Sequence, residues 1–590
     1  MYQPLIKFCP HPAIITQVLI IFVLTMKQSF LGVIPRPFRA QGVAVALSIF
    51  VRALLNFVGL AALLPILYLI LDSQSIHSNP YLASIYERLG FESDTMFVVG
   101  VSLAMVLFII IKCGANLFLY RFERDYIYNL YRYLSRNLYI DYFNRGLSFI
   151  KSSNSAVLSR NVNVVCYTFV AGVLRPLAVI CSEVALFVMI FATILAYSPL
   201  AAVLTIAIFI PAVWLYFTLV RKRVNEYGKR ENEAHRQKFR DVVETYRGYA
   251  DIEINNAFPR MLSSFEQNVD TIVEVGAKNA TVSNLPHIFT EVGLAVGMAL
   301  LVCLSVGLES GDMKILFGVF AVAALRLMPS IRAIMGSWTS LRYNRYTIDI
   351  IRDANLDTPT QMEDTSAKRF GFRDKISIKG LSFRFEDSDH DTLHNLSFEI
   401  AKGEKVGING RSGAGKTTFF NLLLGLYKPT EGTISIDGEP LRAENRRKWQ
   451  NTIGYVSQSV FLTDSTLLAN IALGCEESEI DMARVERAVE MASLGEFVRA
   501  LPNGLHSRIG ECGALLSGGQ RQRIGIARAL YKQADILFFD EATSALDSET
   551  EQSINDSIRT LSEADKELTI VIIAHRESSL SYCDRIITLK

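Results

Sequence analysis

The chain has 590 residues, room for two or more domains, and half of it is hydrophobic while only 20% is charged. That is too apolar for an average soluble protein, and a formal net charge of +2 gives no indication of a nucleic-acid partner. The cysteines (Cys9, Cys113, Cys166, Cys181, Cys303, Cys475, Cys512, Cys583) form no CxxC pair and no Cys/His cluster, which argues against a zinc site or a disulfide framework.

Residues 1–36 form an N-terminal segment. Within it Ala13–Thr25 is apolar but short for a membrane span, and is closer to the core of a signal peptide. Met26 followed by Lys27 offers an alternative start, and no function is drawn from residues 1–25.

Residues 37–351 carry apolar stretches of the length a bilayer requires, roughly 20 residues of helix. In chain order they are Gly42–Leu71, Met96–Ile111, Ala171–Tyr197, Pro199–Val220, Leu285–Leu308 and Met313–Trp338. This predicts a polytopic α-helical domain of six transmembrane helices. Basic residues accumulate in cytoplasmic connections. Arg121, Arg124, Arg132, Arg136, Arg145, Lys151 and Arg160 lie between spans two and three, and Arg221-Lys222-Arg223 opens an equally basic stretch between spans four and five. Both long connections, and both termini, are therefore expected in the cytoplasm. At about 60 residues each, with helical patterning, these connections read as long cytoplasmic extensions of the membrane helices. Around Gly248, "ETYRGYADIEINNAF" interrupts the second extension, and a short crosswise helix there would transmit force to a partner domain.

Polar residues 352–369 read as a linker, and 370–590 change character. "KISIKGLSFRF" and "NLSFEI" alternate like strands, while "TIGYVSQ", "ADILFFDE" and "LTIVIIAH" read as short buried strands with helical patterns between several of them. That predicts an α/β nucleotide-binding domain. Gly410, Arg411, Ser412, Gly413, Ala414, Gly415, Lys416 and Thr417, followed by Thr418, fit G-x-x-x-x-G-K-[ST] between a strand and a helix. Such a loop wraps phosphates in backbone N–H groups, with Lys416 on the β/γ oxygens and the Thr417 hydroxyl on Mg²⁺. Asp540 ends a buried strand, where it would support Mg²⁺, and Glu541 beside it would polarise an attacking water. An ordinary strand followed by an acidic helix cap is the simpler reading, but "DEATSALD" follows the strand and His575 closes the next. "LLSGGQRQRIGIARAL" adds a second seat for phosphate at a helix start, about a hundred residues beyond the first.

These motifs together resemble the ABC transporters. Ser517, Gly518, Gly519 and Gln520 match the ABC signature, and Asp547 lies in "SALD", which matches the D-loop. The whole chain looks like a half-transporter of the type IV exporter fold, six spans followed by one P-loop ATPase domain. The resemblance implies ATP and Mg²⁺ as cofactors, Phe385 on the adenine, and Gln458 of the Q-loop on Mg²⁺ and the attacking water. It also implies Glu511 in a cross-domain contact loop and His575 on the γ-phosphate. The catalytic set is thus Glu541, His575 and Gln458, with Thr417, Gln458 and Asp540 on the metal. In this family the signature of one chain caps the ATP held by the P-loop of another, so a second half-transporter chain is required, a homodimer being the simplest arrangement.

Cargo is less determined. Ionisable residues inside spans are expensive and serve as functional candidates. Arg52 and Arg326 would suit a lipid pyrophosphate, since arginine donates in a bidentate fork. Pairing with Glu183, Glu291 or a backbone carbonyl is the structural alternative. "ALRLMPSIRAI" and "YRGYADIEI" are similar to lipid-linked oligosaccharide flippases of the PglK type. So is the external connection "NPYLASIYERLGF", expected as a short amphipathic helix. The expected function is ATP-driven movement of a lipid-linked oligosaccharide, or a similar amphipathic lipid, outward across a bacterial inner membrane. The alternatives are a multidrug or lipid A type exporter (MsbA-like) and, in a different class, an ATP-regulated receptor, channel or scaffold. Relatives usually continue beyond "CDRIITLK", so the C-terminus reads as short.

Overall fold

The computed structural model describes residues 34–62, 93–197, 199–305, 310–354, 368–385, 388–411, 413–540, 565–574 and 583–589, with isolated residues at 84–88, 552–563 and 580–581. The expectations for residues 1–25, for most of "NPYLASIYERLGF" and for most of the linker lie outside them. Two compact units divide the chain, one of residues 1–145 and 149–361, the other of 146–148 and 362–590.

The first unit is helical. Its long helices are α1 (Arg36–Ala61), α2 (Asp94–Asn144), α3 (from Ser155–Arg160 through to Arg175–Tyr197), α4 (Pro199–Arg247), α6 (Phe258–Ser305) and α7 (Ser310–Tyr343), with the short α5 (Tyr249–Ile254) between α4 and α6. Among the described residues three stretches are long and apolar enough to cross a membrane: Arg36–Gly59, Asp94–Asn144 and Ser155–Ala196. Helices also carry the described parts of the other expected spans, residues 63–71 and 306–308 lying outside the described residues, and α2, α4 and α6 run far past the apolar stretch. Val106, Ile110 and Ile111 on α2 are exposed, a surface suited to hydrocarbon rather than water. The opposite faces pack into cores: Leu186, Ile190 and Ile194 of α3 meet Tyr216, Val220 and Val224 of α4 and Leu327, Ile331 and Met335 of α7.

Helix α3 is not uniformly α. Asn161–Val165 and Val170–Leu174 are single π turns, in which Cys166 N–H donates to Asn161 C=O and Arg175 N–H to Val170 C=O. A π turn tips carbonyls off the ladder, and neighbours take them up. Ser135 Oγ of α2 donates to Val162 O at 3.3 Å, and Ser340 Oγ of α7 donates to Gly172 O at 3.2 Å.

The second unit is α/β. An antiparallel sheet orders β1 (Lys375–Phe383), β2 (Leu393–Ala401), β4 (Glu431–Ile436) and β5 (Glu439–Pro440) as β2-β1-β4-β5. A parallel sheet orders β3 (Lys405–Gly410), β6 (Ile453–Val456), β7 (Ile536–Asp540), β8 (Thr569–Ile573) and β9 (Arg585–Leu589) as β6-β7-β8-β3-β9. The segments read as strands are β1, β2, β6, β7 and β8. Strands β7 and β8 are buried along their whole length, which explains their unbroken apolar runs. Asp540 pairs with Ile573, and Ile573 with Ile408, so the carboxyl ends of β7, β8 and β3 finish level. Ligands of open parallel sheets bind at that edge.

Candidate nucleotide site

The phosphate loop leaves the carboxyl end of β3 and enters α8 (Lys416–Leu423). Gly413 and Gly415 hold φ of +85° and +80°, the left-handed region where a side chain is strained. At Gly415 a Cβ would also come within 2.7 Å of Leu393 Cδ2 and 2.9 Å of Thr392 O. The leading N–H groups of α8 carry no side-chain cap, so they point into the loop with the helix dipole behind them. Lys416 is buried, and its Nζ donates to Gly410 O at 2.8 Å and Arg411 O at 3.2 Å, closing the loop on itself. The loop therefore fits a polyphosphate: donors converge on a cradle that side chains would fill. Thr417 and Arg411 are exposed, and Ala414 and Thr418 are half-buried.

Asp540 is buried at the end of β7, and Gln458 is exposed just beyond β6, both on the same sheet edge as the loop. Among the described residues no group of three or more His, Cys, Asp or Glu gathers to hold a metal. The residues expected on Mg²⁺ (Thr417, Gln458, Asp540) are all oxygen donors, which suits a hard cation completed by phosphate oxygens. Ser412, Glu541, Asp547 and His575 lie outside the described residues, as does the side chain of Arg326.

Phe385 stands edge-on to Phe383 (4.9 Å between ring centroids) and to Tyr427 (5.8 Å), with a face open to solvent. Burial and the nearby Asp540 carboxylate push the Tyr455 hydroxyl well above its ordinary range.

The signature helix α10 (Gly518–Tyr531) begins with a capping box. Ser517 Oγ accepts from Gln520 N–H at 3.2 Å, and Gln520 Oε1 accepts from Ser517 N–H at 2.9 Å. The hydroxyl keeps its own proton to donate, and Ser517 and Gly518 are exposed. Glu511 is exposed in the turn before it. Two residues of α10 that the motifs did not single out reach the Q-loop. Gln522 Nε2 donates to Gln458 O at 2.7 Å, and Arg528 donates to Phe461 O at 3.0 Å and Asn470 O at 2.9 Å.

In the helical unit, Arg52 pairs with the buried Glu123 at 3.2 Å, and Ser48 Oγ donates to the other carboxylate oxygen at 3.4 Å. Its partner is thus Glu123 rather than Glu183 or Glu291, and Glu291 lies 3.4 Å from His287. The Arg52 Nε has no hydrogen-bond partner among the described residues.

Residues 393–544 match the ABC transporter family. The chain is 30% identical over 389 residues to an ATP-dependent lipid A-core flippase of Cupriavidus pinatubonensis, covering 65% of each chain. It is 32% identical over 391 residues to a flippase of the same description from Burkholderia pseudomallei, covering 66% of this chain and 64% of that one. The chain thus spans about 65% of the length of the curated relatives it matches. A bacterial Atm1-family ABC exporter with ATP bound superposes with a TM-score of 0.72 at 24% identity, over 94% of this chain and 93% of that one. The chain carries an ABC transporter domain behind a helical membrane domain, and its fold is that of an Atm1-family ABC exporter.

Proposed function

We propose that the chain is one half of an ATP-driven exporter that moves an amphipathic lipid across a bacterial inner membrane toward its outer face. The observation that carries this reading is the separation of two phosphate seats in one domain. One is a closed glycine loop with its buried lysine; the other is an exposed helix start whose serine retains a donor proton. A single nucleotide has no use for both, so the second seat serves a partner's nucleotide and the chain works as a dimer, most simply of two copies.

ATP would supply the free energy, and a bound Mg²⁺ would offset the negative charge of its phosphates. Phe385 stacks on the adenine, the backbone of Gly410–Thr418 holds the phosphates, and Lys416 balances their charge. Thr417, Asp540 and Gln458 would hold that metal. Glu541 orients the attacking water and His575 contacts the γ-phosphate. Ser517, Gly518, Gly519 and Gln520 of one chain close over the ATP of the other. Two bridging nucleotides hold the domains together; once hydrolysed they no longer bridge, and the membrane helices return to their other packing.

For the cargo, the lipid A-core flippases among the relatives support a lipid A type amphiphile better than the lipid-linked oligosaccharide suggested by "ALRLMPSIRAI" and "YRGYADIEI". Arg52, with a donor to spare beside Glu123, and Arg326 are the candidates for its phosphates. The test uses vesicles holding the purified protein and either fluorescent lipid A or a fluorescent lipid-linked oligosaccharide. Wild type is expected to move lipid A when ATP is added, and Glu541→Gln is expected not to. Equal movement by the variant, or ATP turnover with no movement of either lipid, would replace transport with a receptor, channel or scaffold.

A further inference from the structure

Helices α4 and α6 form a hairpin whose tip is α5. One antiparallel register runs along it: Tyr216 meets Phe289 edge-to-face at 6.0 Å, and much further along Asp241 meets Ser264 and Asn268. Near Tyr216 the contact is apolar, with Val220 and Val224 facing Val282 and Leu285. Toward the tip it becomes polar. Asp241 is 4% exposed, and its Oδ2 accepts from Ser264 Oγ at 3.0 Å and Asn268 Nδ2 at 2.9 Å. Among the described residues no lysine, arginine or histidine pairs with this carboxylate.

Burying a carboxylate against neutral donors alone is unfavourable, and an apolar residue of similar volume would commonly hold two helices together at least as well. What a buried polar contact supplies instead is register, because a slipped pairing leaves it unsatisfied. Here register has a mechanical consequence. Asp241 lies under two turns from the end of α4 at Arg247, and no residue of α5 is buried. Tyr246, Tyr249, Ile254 and Phe258 are all exposed. Among the described residues, then, α5 makes no buried contact that would fix the tip, and a slip of one helical turn between α4 and α6 would displace it by about 5.4 Å.

We propose that Asp241 is a positioning residue that keys α4 to α6, so that the hairpin and its tip move as one body when ATP is consumed. The coupling part of this rests on the transport reading above; the keying does not. A purely structural role predicts that Asp241→Leu, which takes the acceptor from Ser264 Oγ and Asn268 Nδ2, lowers stability and leaves the lipid moved per ATP unchanged.

Full-length Asp241→Leu in vesicles is expected to unfold somewhat earlier than wild type, yet to stay folded under assay conditions and to hydrolyse ATP. The fluorescent lipid A moved per ATP consumed is expected to fall about fivefold or more, the scale of ordinary inter-site coupling. Asp241→Asn keeps an acceptor oxygen for Ser264 and recovers most of the ratio. Independently, hydrogen exchange at the amides of residues 249–262 quickens in Asp241→Leu and stays near wild type in Asp241→Asn. Should Asp241→Leu fail to fold, Asn268→Ala, which removes one donor, is expected to show both effects in weaker form. Unchanged exchange overturns the key. Changed exchange with an unchanged transport ratio overturns its role in coupling. Absence of lipid movement in wild type, with exchange changed in Asp241→Leu, overturns the transport reading and leaves the key standing.

Discussion

Phe385, the ring proposed to stack on adenine, is held by its aromatic neighbours. Perpendicular contacts with Phe383 and Tyr427 hold its orientation before any base arrives, so little side-chain freedom is lost on stacking. Base-on-aromatic stacking is worth about 1–3 kcal/mol. Phe385→Ala is therefore expected to raise the KM for ATP roughly tenfold or more with little change in kcat, by steady-state ATP hydrolysis, and Phe385→Tyr to leave both near wild type. Phe385 itself was legible from "SFRF", which places it just past a strand. Tyr427 was not, because its value comes from a contact across more than forty residues that no local pattern marks. Ser517 is a similar case: the sequence shows a cap-like serine, but only the structure shows that capping engages its acceptor side and leaves its donor side.

Helix α10 matters less as a helix than as a bracket. Its first residues present the signature outward, while Gln522 and Arg528 further along hold the backbone of Gln458 and Phe461. In the proposed dimer, the face offered to a partner's nucleotide is thereby fastened to the loop proposed to serve the chain's own. Gln522→Ala removes the hydrogen bond to the Gln458 carbonyl, and a bond of this kind is worth about 1 kcal/mol net. The kcat for ATP hydrolysis is expected to fall about fivefold with KM little changed, measured at saturating ATP. Glycines, strands and helix starts carry strong local signals, so the phosphate loop, the signature and five of the strands could be read directly. Gln522 could not: it lies in the most recognisable stretch of the domain, yet its partner is 64 residues away.

On the scale of the molecule, the proposed dimer makes each nucleotide site a composite of two chains. A chain bearing Lys416→Met spoils its own phosphate loop, and one bearing Ser517→Arg spoils the seat it lends. Each homodimer is expected to be inactive, whereas mixing them places both defects in one site and leaves the other intact. With random pairing and independent sites, ATP hydrolysis in the mixture should return to roughly a quarter of wild type. No recovery would count against shared sites. The membrane half was legible at the same coarse level. Apolar length and basic connections placed the helices, because bilayer thickness and charge asymmetry act on whole segments. Asp241 was not singled out, since a helical pattern rich in charge gives no hint of which carboxylate turns inward.

The two π turns of α3 have a bearing on how that helix meets its surroundings. Each adds one residue to the backbone ladder, which rotates everything beyond it by about 100° relative to an uninterrupted α-helix. After both, the stripe that began on one side has swung more than halfway round. The helix thereby offers one flank to α2 near its beginning and another to α7 further along. Counting threes and fours across residues 155–197 loses phase twice for the same reason.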